Sequence, residues 1–106
     1  MKVSHLTEKG NLWIHCPGCG ISHQAVINGS RAWSWNGDEE NPTLNPSLLV
    51  TGEFGGDPLR CHSFIREGRI EFLGDCTHAL AGQTIPLPEW QGFEWFRPQL
   101  STAKNV

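Results

Sequence analysis

The sequence has 106 residues, 38% of them hydrophobic, with 12 glycines, 7 prolines and a formal net charge of −3 at pH 7. This is the length of one domain, with a modest core and turns in place of long helices. The lack of a Lys/Arg cluster argues against a nucleic-acid partner, and no stretch approaches the roughly 20 apolar residues of a membrane span.

Met1 to Glu8 lacks the apolar run of a secretory signal, so the chain is expected in the cytoplasm. In a reducing compartment, four cysteines among five histidines point to metal ligands rather than disulfides. A small, turn-rich domain needs a staple, and zinc can supply one.

In chain order, Leu12–His15 reads as a strand entering the tight turn Cys16-Pro17-Gly18-Cys19-Gly20, and Gln24–Ile27 as the strand leaving it. Ala32-Trp33-Ser34-Trp35 alternates like a strand ahead of the turn Asn36-Gly37-Asp38. Asn41 to Pro46 carries two prolines and is expected to be an ordered loop that delivers Ser47 to a strand over Leu48–Val50. Cys61–Ile65 and Arg69–Leu73 form a hairpin around Glu67-Gly68, with Ile65 facing Ile70 and Ser63 facing Phe72. Thr77 to Gly82 fits one short helical turn with a glycine stop. Residues 86–106 form an aromatic C-terminal segment whose end, from Ser101 to Val106, is expected to fray. The predicted architecture is thus mostly β (small α+β): one zinc-stapled domain, residues 1–106, of hairpins, a knuckle and one short helical turn.

Cys16-x2-Cys19 lets one turn aim both sulfurs at one ion. The hairpin brings Cys61 close to Cys76, so Cys16, Cys19, Cys61 and Cys76 are the expected structural zinc ligands. Whether His23, His62 or His78 replaces a cysteine is left open by the spacing. Four protein ligands leave no place for a reactive water. A zinc hydrolase with Asp75 or Glu71 as base is therefore the weaker alternative.

Ser47 follows a proline that restricts its hydroxyl, and His62 points away from its neighbour Cys61 because strand residues alternate. A serine beside an imidazole is the minimal apparatus for acyl transfer. Asp75, or less favourably Glu71, would orient the ring. The competing view is a serine that merely bonds its own turn.

Three stretches carry a resemblance: Cys16-Pro17-Gly18-Cys19-Gly20, Leu44-Asn45-Pro46-Ser47, and Cys61 to Ile70. Together they resemble a family of small Cys/His-rich proteins of bacteriophages and bacteria. Asp75 to Thr84 is similar to its phage-type members. Relatives in the BubE group accompany bacterial ubiquitin-like conjugation operons and are regarded as serine-dependent peptidases of the deubiquitinase kind. The resemblance implies Ser47 as nucleophile and His62 as base, acting on ubiquitin-like protein tails, with phage counter-defence in a bacterial cytoplasm as a setting. Gly55-Gly56 and the start of the Ser47 strand are candidate oxyanion donors, and Trp33 and Trp35 candidate groove walls.

The rival reading is a non-catalytic zinc-stapled protein that binds a host protein. It rests on the rings of Trp90, Phe93, Trp95 and Phe96, which serve either as interface anchors or as a lid packed back on the sheet.

Overall fold

Alternating side chains build the first sheet, in which β1 (Ser4–Leu6), β2 (Asn11–Cys16) and β3 (Ile21–Val26) pair antiparallel in that order. Leu12, Ile14 and Cys16 turn into the core, while His5, Trp13 and His15 line the outer face. The computed structural model describes residues 1–30, 32–54 and 56–96.

The second sheet is an antiparallel meander of β4 (Ser34–Trp35), β5 (Leu44–Phe54), β6 (Asp57–Arg66), β7 (Arg69–Phe72) and β8 (Thr84–Pro86). Glu67 and Gly68 both take positive φ, 48° and 78°. This is the two-residue turn whose twist matches the flanking strands, and it sets Ile65 opposite Ile70 and Ser63 opposite Phe72. Leu44, Leu48, Cys61, Ile65, Ile70 and Phe72 share one core with Leu12 and Ile14 of the first sheet.

The expected loop through Asn41–Pro46 is only partly a loop. β5 begins at Leu44 and runs through Pro46, with its register to β6 shifting between Leu44 and Leu48. That bulge accommodates a residue without an N–H inside a long strand, and the Asn45–Pro46 peptide is cis. Only Ser34 and Trp35 of the predicted Ala32–Trp35 strand pair, with Asn45 and Leu44.

The fold is all-β among the described residues, and the helical turn expected at Thr77–Gly82 is absent. Tight turns replace it, with Ala81 N–H donating to His78 O and Gln83 N–H to Leu80 O. The amide that would continue a helix, Gly82 N–H, donates instead to Phe72 O at 3.0 Å. Gly82, at φ 80°, then turns the chain into β8. No helix among the described residues is long and apolar enough to cross a membrane.

The aromatic segment lies back over the outer face of the first sheet. His15 is sandwiched between Trp90 and Trp95, with ring centroids 4.2 and 4.3 Å away and both planes within 13°. Gln91 N–H donates to His15 Nε2 at 2.9 Å, and Trp90 N–H to Lys2 O. Phe93 meets His5, Trp13 and Trp90 edge-on, whereas Phe96 stays largely exposed. The fraying expected at Ser101–Val106 lies outside the described residues.

Candidate active site and metal centre

Both sites stem from alternation along β6. Cys61 is fully buried beneath the sheet, while the His62 ring, about a quarter exposed, stands on the opposite face. Across the strand pair, Leu49 faces His62, so Ser47, two residues back along β5, shares that face. Ser47 Oγ lies 3.0 Å from His62 Nε2, and His62 Nδ1 lies 3.3 Å from Asp75 Oδ2. One tautomer satisfies both contacts: Nδ1–H donates to Asp75, leaving Nε2 to accept from the Ser47 hydroxyl.

The carboxylate is shared. Arg60 Nε donates to the same Asp75 Oδ2 at 2.7 Å. Its guanidinium, assisted by His62, holds the Asp75 carboxyl below the usual carboxylate range. Glu71, the other candidate, is taken by Arg66 at 2.8 Å. Trp33 Nε1 donates to Ser47 O at 3.2 Å, fixing the backbone of the serine. Gly56 sits at the far end of the β5–β6 hairpin, roughly 20 Å along the strand from Ser47, so it is no oxyanion donor. Gly55 lies outside the described residues.

Beneath the sheet, one ligand atom each from Cys16, Cys19, Cys61 and His78 lie within 4.8 Å of one another, all four residues being buried. The knuckle closes between Cys16 and Ile21, where Gly20 N–H donates to Cys16 O and Cys19 N–H to Cys16 Sγ. Cys16 and Cys61 Sγ are 3.8 Å apart, and two thiolates on a tetrahedral zinc with Zn–S of about 2.3 Å stand roughly 3.8 Å apart. The His78 ring lies where a Gly18 side chain would be: a Cβ there would come within 3 Å of three ring atoms. His78 Nε2 is buried without a hydrogen-bond partner.

The electrostatics suit a cation. Burial opposes ionisation of Cys16, yet hydrogen bonds with Cys19, Cys61 and His23 outweigh it and hold its thiol well below the usual range. Cys19 and Cys61, bonded to that sulfur, are pushed up. Burial draws the His78 imidazole down, towards the neutral form a metal binds. Ionising all three thiols together needs a compensating positive charge. The cluster can hold a metal ion.

Cys76, the expected fourth ligand, is outside this set, and His78 stands in its place. Cys76 instead clasps the backbone of His62: His62 N–H donates to its Sγ at 3.2 Å, and its S–H donates to His62 O at 3.3 Å. Burial pushes the Cys76 thiol up, so it keeps the proton it donates. His23, on β3 opposite Ile14, backs Cys16 from outside the cluster. Spacing alone left both the Cys76 clasp and the Arg60 contact unread. The glycine at position 18, a place where a ring could fit, was the available signal for His78.

A serine and a histidine in contact on one face of a sheet, with a buried Cys/His cluster beneath it that can hold a metal ion, make this a small all-β protein with a candidate hydrolase site. Residues 1–73 match the family described as bacterial ubiquitination-like system serine protease (BubE), and the chain belongs to that family. The matched span contains Ser47, His62 and the three clustered cysteines, and ends before Asp75, Cys76 and His78. No curated protein and no solved structure matches the chain.

Proposed function

We propose that the protein is a serine peptidase in which Ser47 is the nucleophile, His62 the general base and Asp75 the group that orients the imidazole. The observation that carries this reading is the unbroken contact from Ser47 Oγ to His62 Nε2 at 3.0 Å and from His62 Nδ1 to Asp75 at 3.3 Å. In this mechanism Ser47 Oγ attacks a peptide or isopeptide carbonyl while its proton passes to His62 Nε2. The imidazolium, steadied by ionised Asp75, then protonates the leaving amine, and water repeats the sequence on the acyl-serine. Family membership supports a protein substrate, and the substrates we propose are ubiquitin-like protein tails.

The metal we propose is zinc, held by Cys16, Cys19, Cys61 and His78. Its part is structural: a four-coordinate site of protein ligands closes the ion to substrate and ties the knuckle of the first sheet to β6 and to the segment carrying Asp75.

Labelling with a serine-directed fluorophosphonate tests the assignment. The expected result is a single adduct on Ser47, lost in His62→Ala and reduced in Asp75→Asn. No adduct on folded, zinc-loaded protein, or an adduct indifferent to His62→Ala, overturns it.

A further inference from the structure

Among the described residues, the edge of β5 that runs on from Ser47 is open. β4 covers only Leu44 and Asn45 of that strand, while β5 continues to Phe54. Which groups face the open side follows from β6. His62 directs its N–H to Cys76 Sγ and accepts at its carbonyl from Leu73 N–H. Arg60 directs its N–H to Thr77 Oγ1 and accepts from Thr77 N–H. Both residues therefore turn their peptide groups away from β5, which makes Leu49–His62 and Thr51–Arg60 the non-hydrogen-bonded pairs of the ladder.

By the same alternation, Leu49 and Thr51 turn their own N–H and C=O groups away from β6, to the open edge. No residue among those described bonds to them there. The carbonyl of Ser47 faces that side too, where Trp33 Nε1 occupies it. The indole thus closes one end of the edge, and the free donors and acceptors begin two residues beyond the serine. Leu49 is 50% exposed on the face shared by Ser47 and His62.

We propose that an extended peptide segment of the protein substrate adds to this edge as a further strand. It pairs with the N–H and C=O groups of Leu49 and Thr51 and carries its scissile carbonyl to Ser47. The proposal rests on Ser47 being the nucleophile and says how the substrate is held. The occupant is a backbone because Leu49 and Thr51 offer two donors and two acceptors at the repeat of a strand, roughly 7 Å apart. Continuity with Ser47 makes the occupant substrate rather than a second copy of the chain. Recognition through main-chain groups selects for flexible tails without proline at the paired positions. Leu49 adds an apolar contact for one alternate side chain.

The test uses the Ser47→Ala chain, so that binding is read without turnover. The probe is a millimolar mixture of linear decapeptides randomised at every position with proline excluded. Amide hydrogen exchange is followed residue by residue. In the free chain, Leu49 and Thr51 are expected to exchange as exposed amides while Val50 is protected by β6. The peptides should slow Leu49 and Thr51 severalfold, and the same mixture N-methylated along its backbone should not. Thr51→Pro removes an edge donor but no ladder bond. It should keep the protection of Val50 and abolish the peptide effect at Leu49. Three results overturn the proposal: no slowing with peptide, equal slowing with the N-methylated mixture, or protection without peptide that grows with protein concentration. The last assigns the edge to a second copy. Failure of fluorophosphonate labelling at Ser47 is a separate result, which removes the catalytic reading and leaves the exchange experiment to stand by itself.

Discussion

Cys61 and His62, joined by one peptide bond, serve opposite faces of the second sheet: Cys61 Sγ lies 3.8 Å from Cys16 Sγ, and His62 Nε2 lies 3.0 Å from Ser47 Oγ. Strand alternation lets one dipeptide hold both a buried cluster and an exposed imidazole. A slip of one residue would exchange the two, so the clustered thiol also fixes which way the histidine points.

The acid limb of the pH–rate profile is expected to depend on Arg60. Because Arg60 first, and then His62, holds the Asp75 carboxyl down, any stability that ionised Asp75 provides is present above about pH 4. It is lost as pH falls through the lower folded value. Asp75 is thus ionised throughout the neutral range. In Arg60→Gln the carboxyl loses the partner that lowers it most and returns towards the usual carboxylate range. The acid limb of kcat/KM should therefore begin at higher pH, while activity at neutral pH stays within about tenfold. An unmoved acid limb in a folded variant would show that Arg60 does not act through Asp75.

Gly18→Ala should disable the metal centre through one methyl group. The added Cβ would occupy the His78 ring position. Zinc affinity, measured by competition with a chromogenic chelator, is expected to fall about 10- to 100-fold, with a loss of about 1–3 kcal/mol in stability. Gly74→Ala is the control, since nothing lies within 4 Å of its Cβ position.

Cys76→Ser and His78→Ala should part company in a zinc assay. The serine variant is expected to retain one zinc per chain, because Cys76 bonds the His62 backbone and lies outside the cluster. Turnover should nonetheless fall about tenfold or more as the His62 backbone shifts. His78→Ala should lose zinc and thermal stability together. Loss of metal from the serine variant with retention in His78→Ala would return Cys76 to the ligand set.

Trp90→Ala should lower stability by about 3 kcal/mol, since that ring stacks on both His15 and His5. Phe96→Ala, at a 66% exposed ring, should stay within about 0.5 kcal/mol. Denaturant unfolding of the two variants separates the part of the tail that is core from the part that is surface.

Local chemistry was readable in the sequence and long-range pairing was not. The Glu67-Gly68 turn and the period of two fix the β6–β7 register without any knowledge of the rest of the chain. Alternation likewise places Cys61 and His62 on opposite faces. β1 and β8, three residues each, carry too little pattern to be read, and exist because β2 and β7 offer them an edge. β5 runs through Pro46 because a bulge absorbs it, a tertiary accommodation that overrides the local preference. The exchange of Cys76 for His78 depends on the path between Leu73 and Gly82. There, two long-range bonds, Gly82 to Phe72 and Thr77 to Arg60, outcompete the helical turn that the residues themselves suggest.

The Cys16–Cys61 contact spans 45 residues and the Gln91–His15 bond spans 76, and they start from neighbouring positions of β2. For the unfolded chain, each is a loop closure with a length-dependent entropic cost of roughly 3–4 kcal/mol. They are nested, so closing the inner loop shortens the outer one and lightens the second search. On the zinc site proposed above, an ion that draws Cys61 to Cys16 early would speed folding as well as hold the folded chain. Chains that emerge into a metal-poor environment should reach the native topology slowly, by the longer route.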